Sequence, residues 1–167
     1  MKVKDLMSTN ITCVDEDASV GQIASHMRRN NVGSIPVCDD AGYIKGIVTD
    51  RDLVVRTVAK FQANAKIRAD AKIRDDVSDS ESFNTLKNIK AKDIMTKDPV
   101  TTSPDHNIHE AALLFASHKI RRLPVTEASK LIGMLSLGDI AVKPVYIDEA
   151  GDALSSISLA DGLQSKS

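Results

Sequence analysis

The chain repeats itself, and that repetition limits its architecture more than any other feature. Lys4-Asp5-Leu6-Met7-Ser8 returns as Lys92-Asp93-Ile94-Met95-Thr96, and an offset of 88 positions holds from there to Pro36-Val37 and Pro124-Val125. After one residue is dropped from a loop, Gly46-Ile47-Val48-Thr49-Asp50-Arg51-Asp52 returns as Gly133-Met134-Leu135-Ser136-Leu137-Gly138-Asp139. A unit of this length buries too little apolar surface to stand well alone, so two copies are expected to pack on each other. A twofold-related pair has a shared cleft, and a function is expected to sit there.

Each copy reads as strand, helix, strand, strand, helix. A first short strand near 11–14 is β-branched and ends in the acidic Asp15-Glu16-Asp17. A helix follows with Asp17 or Ser19 as its cap. Val20, Ile23, Ala24 and Met27 give it one apolar face, and Asn30-Asn31 and Gly33 stop it. Residues 34–38 form the next strand, Asp39-Asp40-Ala41-Gly42 turns the chain, and 43–49 returns as a hairpin partner. The second helix starts at Asp50 and runs to about Lys60. In the second copy the same elements fall near 100–102, 108–118, 122–126, 131–136 and 137–143, with Pro144 closing the last helix.

Between the copies lies a charged segment, 61–90, containing the tandem hexapeptides Ala65–Asp70 and Ala71–Asp76. It is expected to continue the helix and decay into an acidic, serine-rich linker by 75–82. The boundaries are thus 1–60 for the first repeat, 61–90 for the linker, 91–146 for the second repeat and 147–167 for the tail. In the tail, Ala153, Leu154, Ile157 and Leu159 suit one or two docked amphipathic turns before the end frays.

Composition excludes several classes of function. The net charge of −1 gives no global field toward nucleic acid or anionic membranes. The aromatic set is Tyr43, Phe61, Phe83, Phe115 and Tyr146, with no Trp, so no stacking platform for single strands is evident. No stretch approaches the uncharged length that spans a bilayer, and no apolar run follows Met1-Lys2-Val3-Lys4-Asp5, so a cytoplasmic protein is expected. There is no Walker loop, Gly-x-Ser-x-Gly, Cys-x-x-Cys or nucleophile with an obvious base beside it, so no enzyme is expected. His106-x-x-His109 can share a helix face but has no third ligand, and no metal site is assigned.

The strongest local signal is Gly-x-x-(Thr/Ser)-x-x-Asp where a strand meets a helix: Gly46, Thr49, Asp52 and Gly133, Ser136, Asp139. One reading is a capping box, with Thr49 capping the helix and Asp52 reaching back to its amide. The other is a binding site, in which hydroxyl and helix amides meet a phosphate while the carboxylate accepts from two ribose hydroxyls. Gly33-Ser34-Ile35-Pro36-Val37 and Arg121-Arg122-Leu123-Pro124-Val125 each put a proline inside a strand, where it donates no amide. Such a strand is either an edge strand or the border of a pocket lined by carbonyls and apolar side chains.

Taken together, these duplicated motifs resemble the CBS domain, named for cystathionine β-synthase, and the tandem resembles a Bateman module. The resemblance covers nearly the whole chain except the 61–90 segment and the tail. It implies an α/β (α+β) fold of two β-α-β-β-α domains packed about a pseudo-twofold through their sheets. It also implies clefts for AMP, ADP, ATP or S-adenosylmethionine, with no cofactor required. By position, Asp52 and Asp139 would take the ribose hydroxyls, and Thr49 and Ser136 would lie near the phosphates. Ile35, Pro36, Leu123 and Pro124, with Thr12 and Val100, would border the base. A free-standing sensor module that signals by conformational change follows, with a homodimer and an unknown regulated protein as partners.

The copies differ in charge. Where the second has Arg121-Arg122 and His118, the first has Gly33-Ser34 and Asn30. Two arginines there are either solvated surface or a bidentate phosphate clamp. In the second case one cleft prefers anionic ligands and the other is weaker or empty, although Asp50-Arg51 in the first copy is Leu137-Gly138 in the second, so Arg51 could supply charge that the second motif lacks. Cys13 and Cys38 lie on strands that the fold places close together. They are either two reduced thiols or a redox pair, and the latter defines the alternative function, a redox or stress-response interaction protein that needs no nucleotide.

Overall fold

In a computed structural model, residues 1–58 and 88–159 are described. The expectation for the linker therefore lies almost wholly outside the described residues, as do residues 160–167. Helix α1, Val20–Asn30, starts on a reciprocal capping box. Ser19 Oγ accepts from the Gln22 amide at 3.3 Å, and Gln22 Oε1 accepts from the Ser19 amide at 2.8 Å. Ser19, not Asp17, is thus the cap. The helix ends at Asn31 with φ 52°, a left-handed stop that asparagine tolerates. Ile23 and Met27 are buried, while Ala24 is exposed, so the apolar stripe is narrower than its spacing suggests.

Strand β1, Ser34–Cys38, pairs antiparallel with β2, Ile44–Thr49. Asp39 Oδ1 organises the turn by accepting from the amides of Ala41 (3.1 Å) and Tyr43 (2.9 Å), and Gly42 takes φ +84°. Helix α2, Asp50–Leu53, is a single turn that loosens into a π-helical turn at Val54–Val58. The expected helix is continuous to Val58, the last described residue here, but changes from α to π for a local reason. The run Val54-Val55-Arg56-Thr57-Val58 is β-branched at four of five positions, and the Thr57 hydroxyl donates back to the Leu53 carbonyl, an interaction that bends helices.

The second copy begins with α3, Ala91–Ile94, and the short strand β3, Thr96–Lys97. Helix α4, Ile108–His118, is capped by Asn107 and stops at Lys119 with φ 52°. Strands β4, Arg122–Glu127, and β5, Lys130–Ser136, form the second hairpin, turned by Ala128 and Ser129, both at positive φ. Helix α5 spans Leu137–Ala141. Pro144 then opens a 3₁₀ turn, Pro144–Tyr146, and α6 follows at Ile147–Ser158. The tail is thus a full helix rather than one or two turns, because Ala150 and Ala153 bury a small-residue face against α4 and α5.

The compact units do not coincide with the sequence copies. One comprises Met1–Ile11 with Val100–Ser167; the other is Thr12–Pro99. The leading segment of each copy packs with the body of the other. Val3 donates to the His106 carbonyl at 2.9 Å, and Ser8 bridges Met134. Reciprocally, Ala91 donates to the Ala18 carbonyl at 2.8 Å, and β3 pairs with β2 through Gly46–Lys97 and Ile47–Thr96. Even the ion pairs are traded: Lys4 meets Asp105 at 2.9 Å, and Lys92 meets Asp17 at 2.7 Å. Boundaries at 60 and 91 therefore separate like from like in sequence but not neighbours in space.

The cores follow from this exchange. In the first unit Val3, Ile108, Phe115, Leu123, Val125, Leu135 and Ile140 are fully buried. In the second, Ile23, Ile35, Val37 and Val48 are equally buried, with Ile94 beside them. Each such aliphatic or aromatic side chain contributes about 1.5–3 kcal/mol.

Candidate functional site

Each Gly-x-x-(Thr/Ser)-x-x-Asp motif lies where a hairpin's second strand turns into a one-turn helix, and each closes a capping box. In the first copy Asp52 Oδ2 accepts from the Thr49 amide at 2.9 Å and from the Thr49 hydroxyl at 2.8 Å. The same hydroxyl oxygen accepts from the Asp52 amide at 3.2 Å. Asp52 Oδ1 pairs with Arg56 Nε at 3.2 Å, and Arg56 also donates to the carbonyls of Ile94 (2.7 Å) and Met95 (3.1 Å). Every side-chain oxygen of the Thr49–Asp52 pair is committed within the protein.

The second copy is more open. Asp139 Oδ2 accepts from the Ser136 amide at 2.7 Å, and Ser136 Oγ accepts from the Asp139 amide at 3.1 Å. Among the described residues nothing pairs with Asp139 Oδ1, and the Ser136 hydroxyl donates to no protein acceptor. Lys143 stands where the first copy has Arg56 and makes no ion pair with Asp139 among the described residues. The capping and binding readings of the motif are therefore compatible: one carboxylate oxygen caps while the other is available.

The arginines sit at the same corner. Arg122 is the ladder partner of Ser136, and the Leu137 amide donates to the Arg121 carbonyl at 3.2 Å, tying the start of α5 to the start of β4. Both side chains are exposed, with no ion pair among the described residues; Arg122 donates only to the Arg121 carbonyl, at 3.1 Å. In the first copy this corner carries opposite charge. A methyl group at Gly33 would lie 3.1 Å from Asp50 Oδ2, so a carboxylate occupies the space beside the position equivalent to Arg121. Arg51 is exposed.

The prolines shape the other border of each site. Val14 donates to the Pro36 carbonyl at 3.1 Å and accepts from Cys38 at 2.9 Å, which makes one parallel bridge, Val14–Val37. The next rung would need an amide on Pro36, so the ladder stops and the expected first strand shrinks to a bridge. Thr102 repeats this with Pro124 (3.0 Å) and Thr126 (2.9 Å). As a result, no backbone amide donates to the carbonyl of Thr12 or of Val100 among the described residues. The carbonyls of Pro36 and Pro124, in contrast, are occupied.

Not every expected side chain reaches a surface. Ile35 and Leu123 are core residues with no exposure, and Pro36 and Pro124 are buried, so these positions can offer a ligand little beyond backbone. Strand alternation explains this: Ile35 with Val37, and Leu123 with Val125, point into their cores. Thr12 is half-buried, and its hydroxyl accepts from Asn30 Nδ2 at 3.1 Å; Val100 is half-buried against its core. His106 Nδ1 lies 3.0 Å from the Thr102 hydroxyl. Cys13 and Cys38 come together, with their sulfurs 3.4 Å apart. Sequence reasoning missed Arg56 and Asp50. Arg56 stands four residues after Asp52, the helical ion-pair spacing that could have revealed it.

The duplicated unit of helix, hairpin and short helix defines a tandem α/β repeat module. Residues 3–57 and 91–146 each match the model of the CBS domain, and the chain belongs to that family. It is similar to the CBS domain-containing protein YhcV of Bacillus subtilis strain 168, at 33% identity over 156 residues, 93% of this chain and 94% of that one. It is also similar to the protein YlbB of the same organism, at 37% identity over 161 residues, 96% of this chain and 93% of that one. Among solved structures, that of CBSX2 in complex with AMP matches with a TM-score of 0.64 and 27% identity, covering 88% of this chain and 98% of that one. No helix among the described residues is long and apolar enough to cross a membrane.

Proposed function

We propose that this CBS pair is a sensor for an adenosyl ligand such as AMP, ADP, ATP or S-adenosylmethionine, and that the half-site of the second repeat dominates binding. The observation that carries this reading is the contrast between Asp139, with one oxygen that has no partner among the described residues, and Asp52, whose side-chain oxygens are both engaged. Asp139 Oδ1 accepts a ribose hydroxyl, and Arg121 and Arg122 face the phosphate. The Val100 carbonyl, which no described backbone amide engages, accepts from the exocyclic amine of adenine in this reading. The bound AMP of the similar CBSX2 structure supports the ligand class. In the first repeat, Arg56 occupies the Asp52 oxygen that would take a ribose hydroxyl, and the Asp50 carboxylate beside Gly33 repels an anionic phosphate.

Ligand binding orders the groups that hold it, and that ordering is the signal a regulated protein partner reads. A homodimer belongs to the same proposal; the exposed apolar Val142, Val145 and Ile147 support self-association, and sedimentation velocity tests it.

The test is thermal shift and calorimetry of the full chain with each of the four ligands. A ligand-dependent rise in melting temperature is expected, lost in Asp139→Asn and in Arg121→Ala but retained in Asp52→Asn. Absence of any shift at millimolar ligand would overturn the adenosyl reading. Loss in Asp52→Asn with retention in Asp139→Asn would overturn the assignment to the second repeat.

A further inference from the structure

Cys13 and Cys38 are brought together by backbone, not by side-chain chance. Val14, which follows Cys13, is held on both sides by β1: its amide goes to the Pro36 carbonyl and its carbonyl takes the Cys38 amide. That clamp leaves the two sulfurs 3.4 Å apart, with Cys38 donating toward Cys13. A disulfide requires about 2.05 Å, so the sulfurs have a remaining gap of roughly 1.4 Å to close. The two thiols differ in access: Cys13 is exposed, whereas Cys38 is only 5% exposed.

The other repeat shows that the fold does not need these thiols. The positions equivalent to Cys13 and Cys38 are Thr101 and Thr126, which flank the equivalent parallel bridge, Thr102–Val125, in the second copy. Sulfur at both positions of one copy is therefore a local addition to a scaffold that also accepts hydroxyls. An exposed thiol beside a buried partner in hydrogen-bond contact is the arrangement of an attacking and a resolving cysteine.

We propose that Cys13 and Cys38 form a peroxide-oxidisable dithiol that closes to an intramolecular disulfide, stapling the Thr12–Val14 segment to β1. The Cys13 thiolate attacks one oxygen of a hydroperoxide; the O–O bond breaks, an alcohol or water leaves, and Cys13 becomes a sulfenic acid. The Cys38 sulfur then attacks the Cys13 sulfur, the S–O bond breaks, and the departing hydroxide takes the Cys38 proton as water. Two thiols and one hydroperoxide give one disulfide, one water and one alcohol, or a second water when the oxidant is hydrogen peroxide. The hydrogen bond from Cys38 holds the Cys13 thiol down at about 7, against partial burial, so much of it is thiolate at neutral pH. Sharing its proton with Cys13 pushes Cys38 up, as do burial and the neighbouring Asp39 carboxylate. The proposal stands whether or not a nucleotide binds.

The experiment treats the full reduced chain with hydrogen peroxide at neutral pH and reads intact mass and free thiols. The expected product is a monomer lighter by two hydrogens, with both thiols lost to alkylation and restored by dithiothreitol. Cys38→Thr, which borrows the residue of the other repeat, should stop at a dimedone-trappable sulfenic acid on Cys13. Cys13→Thr should leave Cys38 unreacted at the same dose. Retention of both thiols in the wild-type chain would overturn the proposal. So would a Cys13 that gains two or more oxygens while Cys38 stays free, or a disulfide formed only between chains. Because the wild-type readout decides alone, a variant that fails to fold does not blunt the test.

Discussion

Gly46 and Gly133 are the notches into which the exchanged segments fit, and replacing each by alanine should give unequal results. A methyl at Gly46 would lie 2.5 Å from Met95 Sδ, 2.9 Å from Met95 Cγ and 2.9 Å from the Thr96 carbonyl oxygen. At Gly133 it would lie 2.5 Å from Met7 Sδ, 3.1 Å from Met7 Cγ and 3.3 Å from the Ser8 carbonyl oxygen. A methionine sulfur can swing aside, because the thioether is flexible. A carbonyl in a paired strand cannot, and Thr96 is held opposite Ile47 in the β2–β3 ladder. Relieving the contact at Gly46 means moving β3 by roughly half an ångström, and overpacking of this kind costs about 1–3 kcal/mol. Loss of glycine's freedom in the unfolded chain offsets about 0.4–1 kcal/mol of that. Gly46→Ala should therefore lower stability by about 1–2 kcal/mol, whereas Gly133→Ala should change it by less than about 1 kcal/mol, of either sign. Urea unfolding of the full chain, followed by circular dichroism, measures both. A Gly46→Ala chain as stable as the parent, or less affected than Gly133→Ala, would refute the account of how the leading segments dock.

Three further outcomes are expected. Arg56→Ala removes the partner of Asp52 Oδ1 and two donors to the Ile94 and Met95 carbonyls, and should cost about 1–2 kcal/mol in urea; an unchanged midpoint would rule out a structural role for this arginine. Alkylation of Cys13 should rise with pH to half its maximum near 7, and Cys38→Ala should move that midpoint up toward the ordinary thiol value of about 8.5. The charged group that bears on the pair is Asp39, itself held by Lys45 at 3.2 Å and by the Tyr43 amide, so an identical profile in the variant would discard Cys38 as the cause. Lys2 and Lys4 both donate to Asp105 and hold its carboxyl down at about 2. The folded state thus keeps this group ionised where the unfolded chain has taken up its proton; the small stabilisation is present above about 4 and lost as pH falls toward 2. Asp105→Asn should flatten that part of the acid unfolding curve, and an unaltered curve would count against the ion pair.

Much of the fold is legible in the chain because its signals are local. Ser19 three residues before Gln22, Asn31 after α1, the Asp39–Gly42 turn and the prolines of β1 and β4 each act on backbone a few residues away. The elements that failed did so for equally physical reasons. The helix after Asp50 changes to a π-helical turn because the β-branched run beyond Leu53 works against regular α geometry. The strand expected near 11–14 reduces to one bridge because Pro36, distant in sequence, cannot supply the next rung. The candidate site is half legible: Thr49, Asp52, Ser136 and Asp139 stand at the strand-to-helix corners their motif implies. Ile35 and Leu123 do not face outward, since strand alternation turns them into the cores.

The duplication by itself determines that there are two like units, two like corners and a charge difference between them at Arg121-Arg122. Tertiary structure decides what that difference means. Repeated sequence shows which residues are equivalent, not which ones touch, so it cannot reveal that Lys4 meets Asp105 while Lys92 meets Asp17. Nor can it show that Arg56 engages one carboxylate oxygen while the equivalent oxygen of Asp139 has no partner among the described residues. Those outcomes depend on distances between residues far apart in the chain, and only the folded backbone sets them.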